Sequence, residues 1–164
     1  MSEYLKSAIF LVFLVIVQKT LIWLVALTHY EITPDILLIG LVLLGIRKGK
    51  IAGSVGGFLS GLLLDFMSFS FLGLMALSKA TAGFVSGYFN NENKIERYTK
   101  SYIFIIIVFT CSVLNNLIYF VFYFQGMSLS FFEIVIKYIL PTGIYTAVFA
   151  VIPVIFNRRK NSFT

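Results

Sequence analysis

The chain has 164 residues, of which 59% are hydrophobic and 12% are charged, with a formal net charge of +6. Soluble domains have roughly 25% charged residues, so this composition excludes an ordinary water-soluble fold and indicates a membrane protein. A single cysteine, Cys111, and a single histidine, His29, exclude an intramolecular disulfide and a zinc site of the usual type.

Apolar segments separated by short polar turns follow one another along the whole chain. They lack the period-two alternation of a membrane barrel, and in lipid only helices then satisfy the backbone. The sequence therefore predicts an all-α integral membrane protein with a single transmembrane domain over residues 1–164. The six expected spans are about 5–27, 34–46, 51–64, 72–89, 101–125 and 131–156, the last bent near Pro141 and Pro153.

Basic residues are concentrated on one side of this predicted topology. They occur in the turn after the second segment, in the loop 90–100 and in the tail, while the other loops carry none. Lys and Arg favour the cytoplasmic side, so both termini are predicted to be cytoplasmic. The basic residues of the turn and the tail are Arg47, Lys48, Lys50, Arg158, Arg159 and Lys160.

The second and third segments are shorter than the rest. At 1.5 Å per residue each is about 20 Å long, whereas the hydrocarbon layer is about 30 Å thick. Their outer ends, at Asp35 and Asp65, are therefore expected to stop below the outer surface and to border a cavity open to the outside. In the alternative, these two segments form a re-entrant hairpin and leave four full spans.

Charged residues inside apolar segments form a second candidate feature, because a charge at the bilayer centre costs about 3 kcal/mol or more. Lys19 and Lys79 are expected counter-ions for Asp35 and Asp65. Asp65 is expected to end its helix and to pair with Lys79 across the hairpin. In the alternative, these residues are helix ends solvated at the interface.

Small residues recur every four positions on the third segment. Such spacing places them on one helix face, where another backbone can approach closely. The face is either a docking site for a partner helix or a packing surface within the bundle. Its glycines are Gly49, Gly53, Gly57 and Gly61, with Gly56 beside them, and the fourth segment has a similar face of Ala76, Ala80, Gly83 and Gly87.

Polar residues of the last two segments have simpler interpretations. Asn115 and Asn116 are expected to hydrogen-bond across a helix interface. Glu133 and Lys137 are four residues apart and are expected to form an interfacial ion pair. Phosphate-binding loops and the HExxH and GxSxG motifs are absent from the sequence, and the loops are too short for a soluble catalytic domain, so no enzymatic activity is expected.

The middle of the chain carries a series of specific motifs. These are Pro34-Asp35, the basic turn, Gly53, Gly57-Phe58, Gly61-Leu62-Leu63, Asp65, Ser68, Leu72-Gly73, Ala76-Leu77 and Gly83. Together they resemble the rod shape-determining protein MreD family. The similarity is specific over residues 34–87 and is limited to hydropathy elsewhere, and Met75 departs from it where the family is expected to favour a polar residue.

The resemblance implies a non-enzymatic inner-membrane component of the bacterial elongation (rod) complex, without a cofactor or nucleic-acid partner. The implied partner is the single-span protein MreC, within a complex that also holds MreB, RodA and a class B penicillin-binding protein. The family is also similar in fold to the substrate-binding S-components of energy-coupling-factor vitamin transporters. The expected outward cavity near Asp35 and Asp65 makes a vitamin-binding S-component the alternative function, and a neighbouring gene for a bitopic protein would discriminate the two.

Overall fold

The computed structural model describes residues 3–25, 33–68, 71–125 and 130–159, which are helical almost throughout and contain no strand. The all-α prediction is therefore confirmed for this part of the chain. A 3-10 turn, Gly87–Phe89, and a π-helical turn, Val135–Ile139, accompany the α-helices. These are α1 Glu3–Val25, α2 Ile36–Lys48, α3 Lys50–Ser68, α4 Leu74–Ser86, α5 Ile95–Lys100, α6 Ile103–Tyr123, α7 Phe131–Ile134, α8 Leu140–Phe149 and α9 Val151–Arg159.

The short helix α2 lies at the centre of the bundle. It has 13 residues and contacts α1, α3, α4 and α6. Its sequence is apolar all round, which is typical of a helix enclosed by protein rather than one with a single buried face. Leu37, Leu38, Leu41, Val42 and Ile46 are fully buried along it.

Helix α3 is longer than the sequence predicted. It has 19 residues and continues to Ser68, so the expectation of a short third helix that ends at Asp65 is wrong. The polar Asp65 does not stop the helix because its side chain is hydrogen-bonded elsewhere and fully buried. Three stretches of the described residues are long and apolar enough to cross a membrane: Lys50–Ser68, Ile103–Tyr123 and Phe131–Ile155.

Helix α5 forms inside the segment 90–100, which the sequence predicted to be a loop. Its six residues are too few and too polar for an apolar periodicity to be visible. An ion pair between Lys100 Nζ and Glu96 Oε2, one helical turn apart at 3.1 Å, supports it, and the Thr99 side chain is buried against the bundle.

Each of the two prolines that were expected to bend the last apolar segment lies just after a change in its helical geometry. The π-helical turn ends at Ile139 and α8 starts immediately, with Pro141 in its first turn. A proline cannot donate to the carbonyl one turn earlier, and the wider π-helical turn accommodates the ring at that point. A second change occurs at Ala150, a single turn residue between α8 and α9, and α9 carries Pro153 in its first turn.

Candidate functional site

The small-residue faces of α3 and α4 pack directly against each other. A Cβ atom added at Gly57 would lie under 3.0 Å from the backbone carbonyl of Lys79, and one at Gly61 would be equally close to that of Met75. Gly53 and Gly83 face each other in the same way. The absence of side chains therefore allows the two backbones to touch over most of the hairpin.

This interface decides between the two interpretations of the glycine stripe. Four of these glycines pack against backbone within the chain, so they do not form a docking face for another protein. They are Gly53, Gly57, Gly61 and Gly83. Three further glycines of the predicted faces lie outside this α3–α4 contact or make other contacts. Gly87 packs on the backbone of Lys50 at the start of α3, Gly56 faces leucine side chains of α1 and α2, and Gly49 ends α2 with a φ of 88°.

The Asp35 carboxylate forms an ion pair with Lys79 inside the bundle. Lys79 Nζ lies 2.5 Å from Asp35 Oδ2, and the two side chains are only 5% and 12% exposed. The other carboxylate oxygen, Oδ1, accepts a hydrogen bond from the backbone N–H of Leu38 at 2.9 Å and caps α2. One buried carboxylate thus fixes the start of α2 and neutralises a lysine of α4.

Side chains from α1 and α8 complete the polar surroundings of the α2 start. The hydroxyl of Thr146, which is fully buried, accepts the backbone N–H of Asp35 at 3.0 Å. The Gln18 amide oxygen accepts the N–H of Leu37 at 3.1 Å, and its nitrogen donates to the carbonyl of Pro34 at 3.4 Å. Donors at a helix start need such partners because no intrahelical carbonyl is available to them.

Asp65 has a different partner from the one that the sequence predicted. Its carboxylate accepts the backbone N–H groups of Gly73, Met75 and Ala76 at 2.9, 3.1 and 3.2 Å. It therefore caps the start of α4 from the preceding helix, while Lys79 is paired with Asp35. Gly73, with a φ of 96°, supplies the left-handed turn that brings these donors to the carboxylate.

Lys19 lies in the same outer half of the predicted topology but in a less enclosed position. Its Nζ donates to the Ser68 hydroxyl at 2.5 Å, which joins α1 to the end of α3. The expectation that Asp35 and Asp65 border a cavity open to the outside is wrong, because these side chains are buried and bonded to Lys79 or to backbone. For the same reason they are not solvated helix ends.

The asparagines of α6 bond along their own helix rather than across an interface. The Asn115 amide donates to Asn116, which in turn donates to the Ser112 hydroxyl at 3.4 Å. Asn115 Oδ1 is buried without a hydrogen-bond partner among the described residues.

Among the residues that the structure describes, no group of His, Cys, Asp and Glu side chains could hold a metal ion. Glu133 and Lys137 form the expected pair at 3.6 Å.

The basic segments meet at the end of the bundle where α2 ends, opposite to the polar network at the start of α2. The start of α1, the end of α2 and α5 border one cleft, and α9 contacts α5. The Asn90 amide donates to the carbonyl of Ile46 at the end of α2, and Lys50 lies over the ring of Tyr88 at 3.4 Å. Arg158 and Arg159 end α9, whereas Lys160, His29 and Glu31 lie outside the described residues.

Gln18 and Thr146 belong to this polar network but were not identified from the sequence, and Ser68 was noted there only as part of the family resemblance. Each is a hydroxyl or amide in an otherwise apolar stretch, and such residues usually find a polar partner within a membrane bundle. That signal marks the residues but not their partners, since Thr146 lies 111 residues from Asp35.

Comparison with known proteins places the chain in a family. Residues 2–158 match the family described as rod shape-determining protein MreD. No curated protein and no solved structure shows significant similarity to the chain. The match extends well beyond the middle region whose motifs carry the resemblance. Because it covers nearly the entire sequence, the chain belongs to the rod shape-determining protein MreD family.

Proposed function

We propose that this protein is a non-enzymatic membrane scaffold of the bacterial elongation complex, which maintains cell shape and lateral peptidoglycan synthesis. The observation that carries the proposal is the family match over residues 2–158, since the family determines rod shape. The interior of the bundle agrees with a structural role. Its buried charges are used to cap helices and to join them, as with Asp35, Asp65 and Lys79.

The proposed topology has six membrane spans in a single domain in the inner membrane, with both termini in the cytoplasm. The clustering of basic residues at one end of the bundle supports it, because Lys and Arg favour the cytoplasmic side. Helices α2 and α4, with 13 residues each, form the shortest of the proposed spans, and α4 is followed by a 3-10 turn. The enclosure of α2 by other helices supports a position in which its outer end need not reach lipid headgroups.

The proposed partner is the MreC-like bitopic protein, which would dock its transmembrane helix on an outward face of the bundle. The glycine stripe is internal, so the docking face has to be one of the exposed apolar helix surfaces. Helix α1 offers Ile9 and Phe13, and α3 offers Val55 and Phe58, all about half exposed. Bulky side chains of this kind can pack against a partner helix in lipid.

The basic cytoplasmic end is proposed to serve the other members of the complex. Arg47 and Lys50 are exposed there and are available to a filament partner such as MreB. RodA and the class B penicillin-binding protein would be recruited through the same assembly. In this mechanism the protein holds partners at one place in the membrane and performs no chemical step itself.

Site-specific photocrosslinking during co-expression with an MreC-like protein tests the proposal. A photoreactive residue at Phe13 or Phe58 samples the two outward faces, and one at Phe104, which is fully buried, is the matched control. We expect co-purification of the partner from detergent and crosslinks from an exposed position but not from Phe104. Recovery of the protein alone, with no crosslink from either exposed face, would contradict partner docking.

The vitamin-binding alternative has no comparable support from the structure. It was motivated by an outward cavity near Asp35 and Asp65, but these side chains are buried in hydrogen bonds and an ion pair. Thermal unfolding of the purified protein with a panel of vitamins distinguishes the functions. A ligand that binds the folded state raises the midpoint temperature, and the scaffold function predicts no such shift.

A further inference from the structure

A cleft of about 620 Å³ opens at the basic end of the bundle, between the start of α1, the end of α2 and the short helix α5. Its size falls within the range of roughly 300–1,000 Å³ that is typical of small-molecule sites. The proposed docking face for the MreC-like protein and the buried ion pair do not use it, and of its lining only Arg47 is also assigned to the proposed filament contact. The residues that border it therefore need a separate explanation.

Positive charge dominates the mouth of the cleft. Four basic side chains and one carboxylate line it: Lys6, Arg47, Lys48, Lys100 and Glu96. The Glu96 carboxylate is 82% exposed and is paired with Lys100 at 3.1 Å, so it offsets only part of this charge. Three separate helices contribute the bases, which converge on one place although they are distant in sequence. An anion at the mouth would be attracted by all of them.

The depth of the cleft is apolar. Phe10 and Leu11 follow Lys6 on α1, and Leu43 and Leu44 precede Arg47 on α2, so both helices change from basic to apolar in the same direction. Gly40 marks the inner end, where a Cβ would lie 3.4 Å from the Phe10 ring and would overlap Leu14. From Arg47 to Gly40 the cleft extends about 10 Å along α2.

We infer that this cleft binds one anionic diacyl phospholipid. The phosphate would lie between Lys6, Arg47 and Lys48, and an acyl chain would enter along Phe10 and Leu44. Basic pockets between membrane helices on the cytoplasmic side are suited to acidic lipid headgroups. A free phosphate would use only the mouth, and an acidic peptide would leave the apolar depth between two membrane helices unfilled. The gradient from charge to apolar surface therefore favours a lipid.

The test is thermal unfolding of the full-length, delipidated protein in detergent, with native mass spectrometry to count retained lipids. We expect phosphatidylglycerol, an anionic diacyl lipid, to raise the midpoint by about 5 °C or more at saturation, and phosphatidylcholine to have little effect. Inorganic phosphate and glycerol phosphate serve as headgroup probes. Stabilisation of the same size by either probe, or by phosphatidylcholine, would overturn the lipid assignment.

Matched charge variants locate the site. Arg47→Gln with Lys48→Gln removes two bases of the cleft, while Lys94→Gln with Arg97→Gln removes two nearby exposed bases that do not line it. We expect the lipid-dependent shift to be lost in the first variant and retained in the second. An equal loss in both would mean diffuse surface attraction and would overturn the proposal, as would a shift caused by an acidic peptide but by no anionic lipid.

A single substitution tests the same site with a smaller risk that the variant fails to fold. Lys6→Gln changes one exposed side chain at the mouth of the cleft. It should retain the unfolding midpoint of the lipid-free protein and weaken phosphatidylglycerol retention several-fold. Unchanged retention in this variant would count against a headgroup position beside α1. These readouts do not depend on any partner protein, so failure here leaves the scaffold proposal unaffected.

Discussion

Lys79 Nζ and Asp35 Oδ2 are 2.5 Å apart in the interior of the bundle, although the residues lie 44 positions apart in the sequence. The pair joins the middle of α4 to the start of the central helix α2. Because the same carboxylate also caps α2, its position is determined by two independent contacts.

Breaking the Asp35–Lys79 pair on one side should destabilise the protein strongly. Removing one partner of a buried pair typically costs about 3–5 kcal/mol, because the remaining charge is left without compensation. Asp35→Asn retains an oxygen for the Leu38 N–H, so it tests the charge rather than the cap. Thermal unfolding in detergent of Asp35→Asn, Lys79→Met and the double variant should show a double loss smaller than the sum. Additive losses would show that the two charges do not interact.

Asp65 should act mainly as a cap of α4. Asp65→Ala leaves the N–H groups of Gly73, Met75 and Ala76 without this acceptor. A buried donor left unpaired costs about 1–3 kcal/mol, and the bond to the Ala76 N–H is the buried one of the three. Asp65→Asn retains one oxygen and should lower the unfolding midpoint less. Circular dichroism and thermal unfolding of both variants measure the difference. Equal midpoints for wild type and Asp65→Ala would contradict the capping role.

Gly57 and its neighbour Gly56 should respond differently to the same added methyl group. A Cβ at Gly57 meets the backbone of α4, which cannot move without separating the two helices. At Gly56 the nearest atoms are the ends of the Leu44 and Leu11 side chains, at 2.7 and 3.0 Å, and these can rotate. We expect Gly57→Ala to reduce folded yield severalfold and Gly56→Ala to be milder, by size-exclusion chromatography. The reverse order would contradict the observed packing.

Thr146→Val should destabilise the protein by about 1–2 kcal/mol although the shape is nearly preserved. The substitution removes the hydroxyl that accepts the backbone N–H of Asp35 and leaves that buried donor unpaired. Thr110 provides the control, because it is exposed and its hydroxyl donates only to the carbonyl one turn earlier. Thr110→Val should therefore unfold within 1–2 °C of the wild type, as an approximate limit for a surface change. Equal midpoints for both variants would show that the Thr146 contact contributes little.

The class of this protein followed from its composition and apolar pattern alone, as did the helical state of its apolar segments, but not α5 or the end of α3. Apolar stretches of this length have to be helical in lipid, and the spacing of glycines on α3 and α4 places them on one face of each helix. The sequence also identified Asp35, Asp65 and Lys79 as residues that need partners, since burying an uncompensated charge is costly. These inferences depend only on local chain geometry and on the free energy of transfer from water.

Only the tertiary structure decided which partner each of these residues has. Asp65 was expected to pair with Lys79 because a short loop makes α3 and α4 neighbours, but its carboxylate reaches the free N–H groups at the start of α4 instead. Lys79 pairs with Asp35 because α2 packs against α4. Likewise, a face of glycines can pack equally well against a helix of the same chain or against a helix of another protein. Long-range packing selects among such partners, and no local pattern in the sequence encodes that choice.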